Sequence, residues 1–379
     1  TAGITVTPTS LTVTEAAGAG HAATFTVVLT AQPTADVTIG LSSSDTTEGT
    51  VSPSSLTFTS ANWDTAQTVT VTGVDDAVDD GNISFSIVTA AAVSTDSNFN
   101  GVNAADVSVT CTDDDTAGIT VTPTSGLVVT EAGGTATFTV VLTSQPTANV
   151  VIGLSSSDTT EGTVAPSSLT FTSANWNTPQ TVTVTGVDDF LIDGTVGFTI
   201  ITAAAVSTDP NYSGMNASDV SVSCTDNDTA GITVTPTSLT VTEAAGTGHT
   251  ATFTVVLNTQ PTADVTIGLS SSDTTEGTVA PSTLTFTSAN WNTAQTVTVT
   301  GVDDFLDDGD IVFSIVTAAA VSTDPIYSGM NVADVSVTCT DNDTAGITVT
   351  PTSGLVVTEA GGTATFTVVL TSQPTANVV

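Results

Sequence analysis

The chain has 379 residues, 38 of them Asp or Glu and none Lys or Arg, which gives a formal net charge of −38. With no cation to meet phosphate, this composition excludes nucleic-acid binding and electrostatic docking on an anionic membrane; what such a chain attracts is cations. Only 10% of the residues are charged and 39% are hydrophobic, with Thr, Val, Ser and Ala abundant, so the acidity is not that of a disordered tail.

Self-similarity organises the sequence. The string TAGITVTPTS begins at Thr1, Thr116, Thr229 and Thr344, at spacings of 115, 113 and 115 residues. A period above ~100 residues is too long for a solenoid and fits one autonomous domain per repeat. The predicted domains are 1–115, 116–228 and 229–343, with 344–379 holding only the first strands of a fourth. The chain starts in a repeat motif and stops in mid-repeat, which reads as a piece of something longer. No apolar run approaches the length of a membrane-spanning helix.

Within the first repeat, strict alternation of apolar and polar residues predicts strands in chain order. They are carried by Ile4 and Val6, Leu11 and Val13, Phe25 to Leu29, Val37 to Leu41, Leu56 and Phe58, Val69 and Val71, Ile83 to Ile87, and Val107 to Cys111. No stretch carries a helical period. About seven short strands with Gly, Pro, Asn and Asp between them predict an all-β fold, a seven-stranded antiparallel β-sandwich of Ig-like type in each repeat. No linker separates the repeats: CTDDDTAGIT runs from the last strand of one into the first of the next. End-to-end sandwiches of roughly 35–45 Å each, at about 3.3 Å per strand residue, would make a rod.

The acidic residues recur at fixed places. Repeat one carries Glu15, Asp45, Glu48, then Asp75, Asp76, Asp79 and Asp80, then Asp113, Asp114 and Asp115. Repeat two carries Glu131, Asp158, Glu161, Asp188, Asp189, Asp193, Asp226 and Asp228. Repeat three carries Glu243, Asp273, Glu276, Asp303, Asp304, Asp307, Asp308, Asp341 and Asp343. Nearly all fall in loops, and alternate loops of an antiparallel sandwich share a pole. Two carboxylates ~4 Å apart repel by about 4 kcal/mol at an effective dielectric near 20. Solvated acidic loops are the ordinary reading of such runs. Recurrence in three repeats without a counter-charge favours protonation or a bound metal. An oxygen-only donor set favours calcium; transition metals would ask for His or Cys, which the acidic runs lack.

VTEA with Glu15, TVTVTGVDDAVDDG with Asp75 to Asp80, and VTCTDDDTAGI with Asp113 to Asp115 are similar to the Calx-beta family, and ANW…QTVTVTG resembles its bacterial branch. The resemblance covers essentially the whole of each repeat. It implies calcium at one pole, held in repeat one by Glu15, Asp45, Asp75, Asp76, Asp79, Asp80, Asp113, Asp114 and Asp115, and in the other repeats by their equivalents. Between Asp45 and Glu48 the choice stays open. Repeat two departs from the pattern with Ile192 at the position of Asp79, and Asn227 and Asn342 stand in the terminal runs of repeats two and three. Fewer or weaker ions are therefore expected in repeat two.

Cys111, Cys224 and Cys339 occur once per repeat on the core side of a strand, as buried thiols or as intermolecular bridges. Trp63, Trp176 and Trp291 read as core-edge anchors. His21 and His249 lie in Gly/Ala-rich turns, and no nucleophile–base pattern accompanies them, so no enzymatic activity is expected. The expected function is structural: a calcium-rigidified repeat segment of a secreted or cell-surface stalk or filament. It would self-associate into a fibre or attach to a larger surface protein. The alternative is the extender of a calcium-dependent adhesin.

Overall fold

Alternation along the chain makes strands with one apolar face each. In the first repeat they are β1 (Ile4–Thr7), β2 (Ser10–Thr14), β3 (Ala22–Leu29), β4 (Val37–Ser43), β5 (Gly49–Ser52), β6 (Ser55–Phe58), β7 (Gln67–Gly73), β8 (Ile83–Thr89), β9 (Val93–Ser94) and β10 (Val107–Thr112). The structure is a computed structural model and describes residues 1–16, 21–244 and 249–379. Two sheets form, in the orders β1-β3-β7-β5 and β2-β10-β8-β4-β6, with β9 beside β4. Phe25, Val27, Leu29, Val69 and Val71 of one sheet meet Val37, Ile39, Phe85, Ile87, Val107 and Val109 of the other in one buried core. Thr and Ser fill the alternate, outward positions, which suits a pleated surface without adding charge.

The second and third repeats build the same pair of sheets around their own cores, one running from Val121 to Cys224 and one from Val234 to Cys339. All three are two-sheet β-sandwiches. No helix among the described residues is long and apolar enough to cross a membrane. The described residues fall into two compact units, Thr1–Val187 with Gly197–Cys224, and Asp188–Val196 with Thr225–Val379. The second unit also holds a two-stranded antiparallel sheet of Ile347–Thr350 and Thr367–Leu370, whose side chains are largely exposed.

Two features differ from the pattern read off the sequence. The opening run ITVTPTSLTVT is divided at Pro8, which has no N–H to give a ladder. As a result β1 joins one sheet and β2 the other. There β2 lies parallel to β10, with Ser10 opposite Ser108 and Thr14 opposite Thr112, while the other strand pairs of this repeat are antiparallel. The second is β5, which carries a single apolar residue, Val51, and so leaves no alternating signal. It begins at Gly49, where a Cβ would lie 2.3 Å from the Phe85 ring. Gly162 and Gly277 face Phe198 and Phe313 in the same way.

Glycine at these positions is therefore set by packing. Gly49→Ala should lower stability by about 1–3 kcal/mol, the usual cost of overfilling a well-packed core. Thermal denaturation of the single variant checks this, and Gly197→Ala, where an added Cβ meets nothing within 4 Å and φ is not positive, is the control without a packing clash.

Candidate metal centre

The strand pairing explains why four acidic segments meet at one pole of the first sandwich. Because β2 and β10 run parallel, both end there. Glu15, the residue after β2, donates its N–H to Thr112 O at 3.1 Å, and Asp113 follows directly. β7 leaves at the same pole and carries Asp75 to Asp80. β5 runs antiparallel to it with Gly49 opposite Gly73, which brings Glu48 to Val74, whose N–H donates to Glu48 O at 3.0 Å. β8 enters here with Ile83 opposite Cys111.

Glu15 and Glu48 are 3% and 5% exposed, and one oxygen of each, Oε2, is buried without a hydrogen-bond partner. Glu15, Asp76 and Asp115 each present an oxygen within 4.8 Å of the others. Burial, then the charges of Glu48, Asp113, Asp76 and Asp80, push Glu15 up to about 8. Burial and the Asp80 charge also raise Glu48, which accepts a hydrogen bond from the Glu15 carboxyl. Burial, followed by neighbouring aspartates, raises Asp80 and Asp115 as well. Main-chain N–H groups hold the loop in place. Val78 donates to Asp76 at 2.7 Å, while Gly81 and Asp115 donate to the two oxygens of Asp113, each at 2.7 Å. Asp75 and Asp114 are exposed at the rim.

Asp45 is placed differently. Its Oδ1 accepts from Thr47 N at 3.0 Å and Thr47 Oγ1 at 2.5 Å, and these bonds hold its carboxyl below the usual range. Asp158 and Asp273 do the same with Thr160 and Thr275. The structure thus puts Glu48, not Asp45, against Glu15. TTEG recurs in each repeat and was the available signal, but the weak β5 pattern hid the pairing that brings Glu48 in.

In the third repeat, burial and then Asp341 push Glu243 up to about 7, and burial and then Asp308 raise Glu276. Their Oε2 atoms and Asp343 Oδ2 are buried without hydrogen-bond partners. Asp304 is held by Leu306 N at 2.7 Å, and Asp341 by Gly309 N at 2.8 Å and Asp343 N at 2.6 Å. Asn342 turns its amide nitrogen to Asp303 at 3.1 Å. Of the second repeat's residues, Glu131 and Glu161 are buried beside Cys224 in the first compact unit. The second unit gathers Asp188, Asp189, Asp193, Asp226 and Asp228. Here Gly194 N donates to Asp226 at 3.0 Å, Leu191 N to Asp189 at 2.7 Å and the Asn227 amide to Asp188 at 3.2 Å. Burial and neighbouring aspartates raise Asp193 and Asp228.

The same loops touch the residues that follow. In the first unit Gln145 N donates to Ala77 O at 2.6 Å, Ala117 N to Asp79 Oδ2 at 2.8 Å, and the Asn211 amide to Asp79 O. In the second unit Gln260 N donates to Phe190 O at 2.8 Å, and the Phe190 ring lies 5.3 Å from that of Trp291. Gln373 N donates to Phe305 O at 2.5 Å, and Ala345 N to Asp307 Oδ2 at 2.6 Å. One oxygen of Asp79 and of Asp307 is thus spent on the backbone of the next repeat. Ile192 has none to spend, and lies instead beside Thr259, Gln260 and Tyr327.

The cysteines require a correction. The sequence placed no soft ligand in the acidic clusters, yet Cys111 Sγ lies within 4.8 Å of oxygens of Glu15 and Glu48. Cys224 and Cys339 stand likewise beside Glu131 and Glu161, and Glu243 and Glu276. Alternation alone puts Cys111 on the core face; only the fold shows that this end of the core is roofed by carboxylates. His21 and His249 give their carbonyls to Gly73 and Gly301.

A carboxyl raised from 4.5 toward 8 binds its proton more tightly folded than unfolded. The metal-free protein should therefore keep this contribution in full below about pH 4.5, and lose it as pH rises through the window to about 8. The loss should be on the order of a few kcal/mol in each of repeats one and three, where Glu15 and Glu243 are raised. Melting temperatures in chelator across this range test the slope, and Glu15→Gln with Glu243→Gln should flatten it.

No protein-family model matches the sequence, and no curated protein matches it. Similar solved structures include CBD12 from CALX1.2, at 17% identity over 58% of this chain and 98% of that one, with a TM-score of 0.29. Others are the calcium binding domain CBD12 of CALX1.1, at 19% identity over 53% and 80% with a TM-score of 0.28, and surface layer protein SbsC domains 4–9, at 18% over 86% and 44% with a TM-score of 0.24. Similarity this low assigns no function.

Proposed function

We propose that repeats 1–115, 116–228 and 229–343 are the domains of an extracellular structural protein, a stalk or filament segment, stiffened by calcium at the acidic pole of each sandwich. The observation that carries this reading is the pair of buried, unpartnered oxygens on Glu15 and Glu48, ringed by aspartates in a chain without Lys or Arg. Burying a carboxylate is costly unless it is paired, and the sequence has no Lys or Arg to pair it by charge. The outer donors are all carboxylate oxygens, which fits a hard divalent cation with a high coordination number.

In repeat one, Glu15, Asp76 and Asp115 would hold the ion, with Asp80 and Asp113 adjacent; in repeat three the equivalents are Glu243, Asp304 and Asp343, with Asp308 and Asp341. Bound calcium supplies the positive charge that the chain lacks. The rest is done by the loop: Asp76 and Asp113 order it through their N–H bonds, and Ala77 O and Asp79 hand that order to Gln145, Ala117 and Asn211. An ion that fixes the loop therefore fixes its contact with the following repeat. Repeat two, with Ile192 for Asp79, should bind more weakly and form a separate class in a calcium titration, which Ile192→Asp should move toward the others.

Thermal melts and small-angle scattering, with calcium and then with excess chelator, test the proposal. At a thousand times its dissociation constant an ion adds about 4 kcal/mol per independent site, so a large rise in melting temperature is expected, together with a well-defined maximum dimension that broadens on chelation. No change in either would sink it.

A further inference from the structure

We propose that each sandwich carries a second, inner metal site for a thiophilic divalent cation of the zinc class, built in the first repeat from Glu15, Glu48 and Cys111. The site goes beyond the calcium reading and does not need it. Three observations converge. One atom from each residue, two carboxylate oxygens and a sulfur, lies within 4.8 Å of the others. All three residues are more than nine-tenths buried, and beyond contacts within the trio itself one oxygen of each glutamate, Oε2, has no donor to satisfy it. Glu131, Glu161 and Cys224, and Glu243, Glu276 and Cys339, form the same trio.

Donors around a tetrahedral zinc, at bond lengths of about 2.0–2.3 Å, stand roughly 3.3–3.8 Å apart. At separations of no more than 4.8 Å, the trio would close by at most about 1.5 Å to reach this. The backbone packs closely at this end of the core: a Cβ on Gly73, which would be in ordinary contact with Cys111 Sγ at 3.5 Å, would stand 2.3 Å from Thr14 O. Gly186 and Gly301 meet Thr130 O and Thr242 O in the same way.

The sulfur sets the selectivity. Cys111 lies buried against Glu15 and Glu48, and its sulfur offers nothing to calcium, a hard ion that takes oxygen ligands. A thiophilic ion coordinates sulfur as thiolate and releases two protons to solvent, that of the thiol and that of the Glu15–Glu48 hydrogen bond. Three anionic ligands against a divalent ion leave one net negative charge, less than the two carboxylates carry when both are ionised. The inner site thus discriminates by ligand softness where the outer one discriminates by ligand number.

The test refolds the full chain with cadmium in the presence of saturating calcium and reads the ultraviolet thiolate-to-metal charge-transfer band. A band is expected that saturates at no more than one ion per cysteine and is lost in the chain carrying Cys111→Ala, Cys224→Ala and Cys339→Ala. A β-sheet circular dichroism spectrum and a cooperative thermal transition show that the variant folds; should it fail to fold, the wild-type band and its stoichiometry decide alone. Absence of the band in the wild type at saturating cadmium would mean that the ion meets only the aspartates, and would overturn the inner site while leaving the calcium reading untouched.

Discussion

With neither Lys nor Arg in the sequence, a buried carboxylate is met by main-chain N–H groups, by a proton, by hydroxyl and amide side chains, or by an ion from solution. The molecule uses the first two in different places. Asp113, Asp341 and Asp226 are satisfied by N–H groups of their own and neighbouring loops. Burial and mutual crowding raise Glu15 and Glu48, whose carboxyls hydrogen-bond each other, as expected of crowded carboxylates in a dry setting. The remaining deficit, on Asp80, Asp115 and their equivalents, is what the proposed calcium would meet.

That pole exists because of one pairing. If β2 ran antiparallel to β10, Glu15 would emerge at the opposite end of the sandwich from Asp113. The parallel register of Thr14 with Thr112 brings the two together, and the Gly49–Gly73 register adds Glu48 from the other sheet. A break at Pro8 and two glycines with no room for a side chain are therefore as much a part of the site as the carboxylates themselves.

The sandwich was legible because period-two alternation is strong in most of the strands, and so were the acidic positions, because they recur. What the sequence concealed were facts of pairing. β5 has one apolar residue, so Glu48 looked no better a ligand than Asp45, although Asp45 is occupied by Thr47. Asp79 read as one more carboxylate, whereas one of its oxygens fastens Ala117. Cys111 read as a core residue, which it is, but the depth at which β10 meets the carboxylate roof is not written in a local pattern. In each case the missing information is which residues lie opposite across a ladder, and alternation says only which face they take.

One contact from the acidic loop to the repeat after it recurs at all three described joints and is made by peptide groups alone: Ala77, Phe190 and Phe305 differ in side chain yet offer the same carbonyl to Gln145, Gln260 and Gln373. A bond between peptide groups is indifferent to most substitutions on either side of it, so a repeat added or removed would still offer this bond to its new neighbour, whichever side chains surround it.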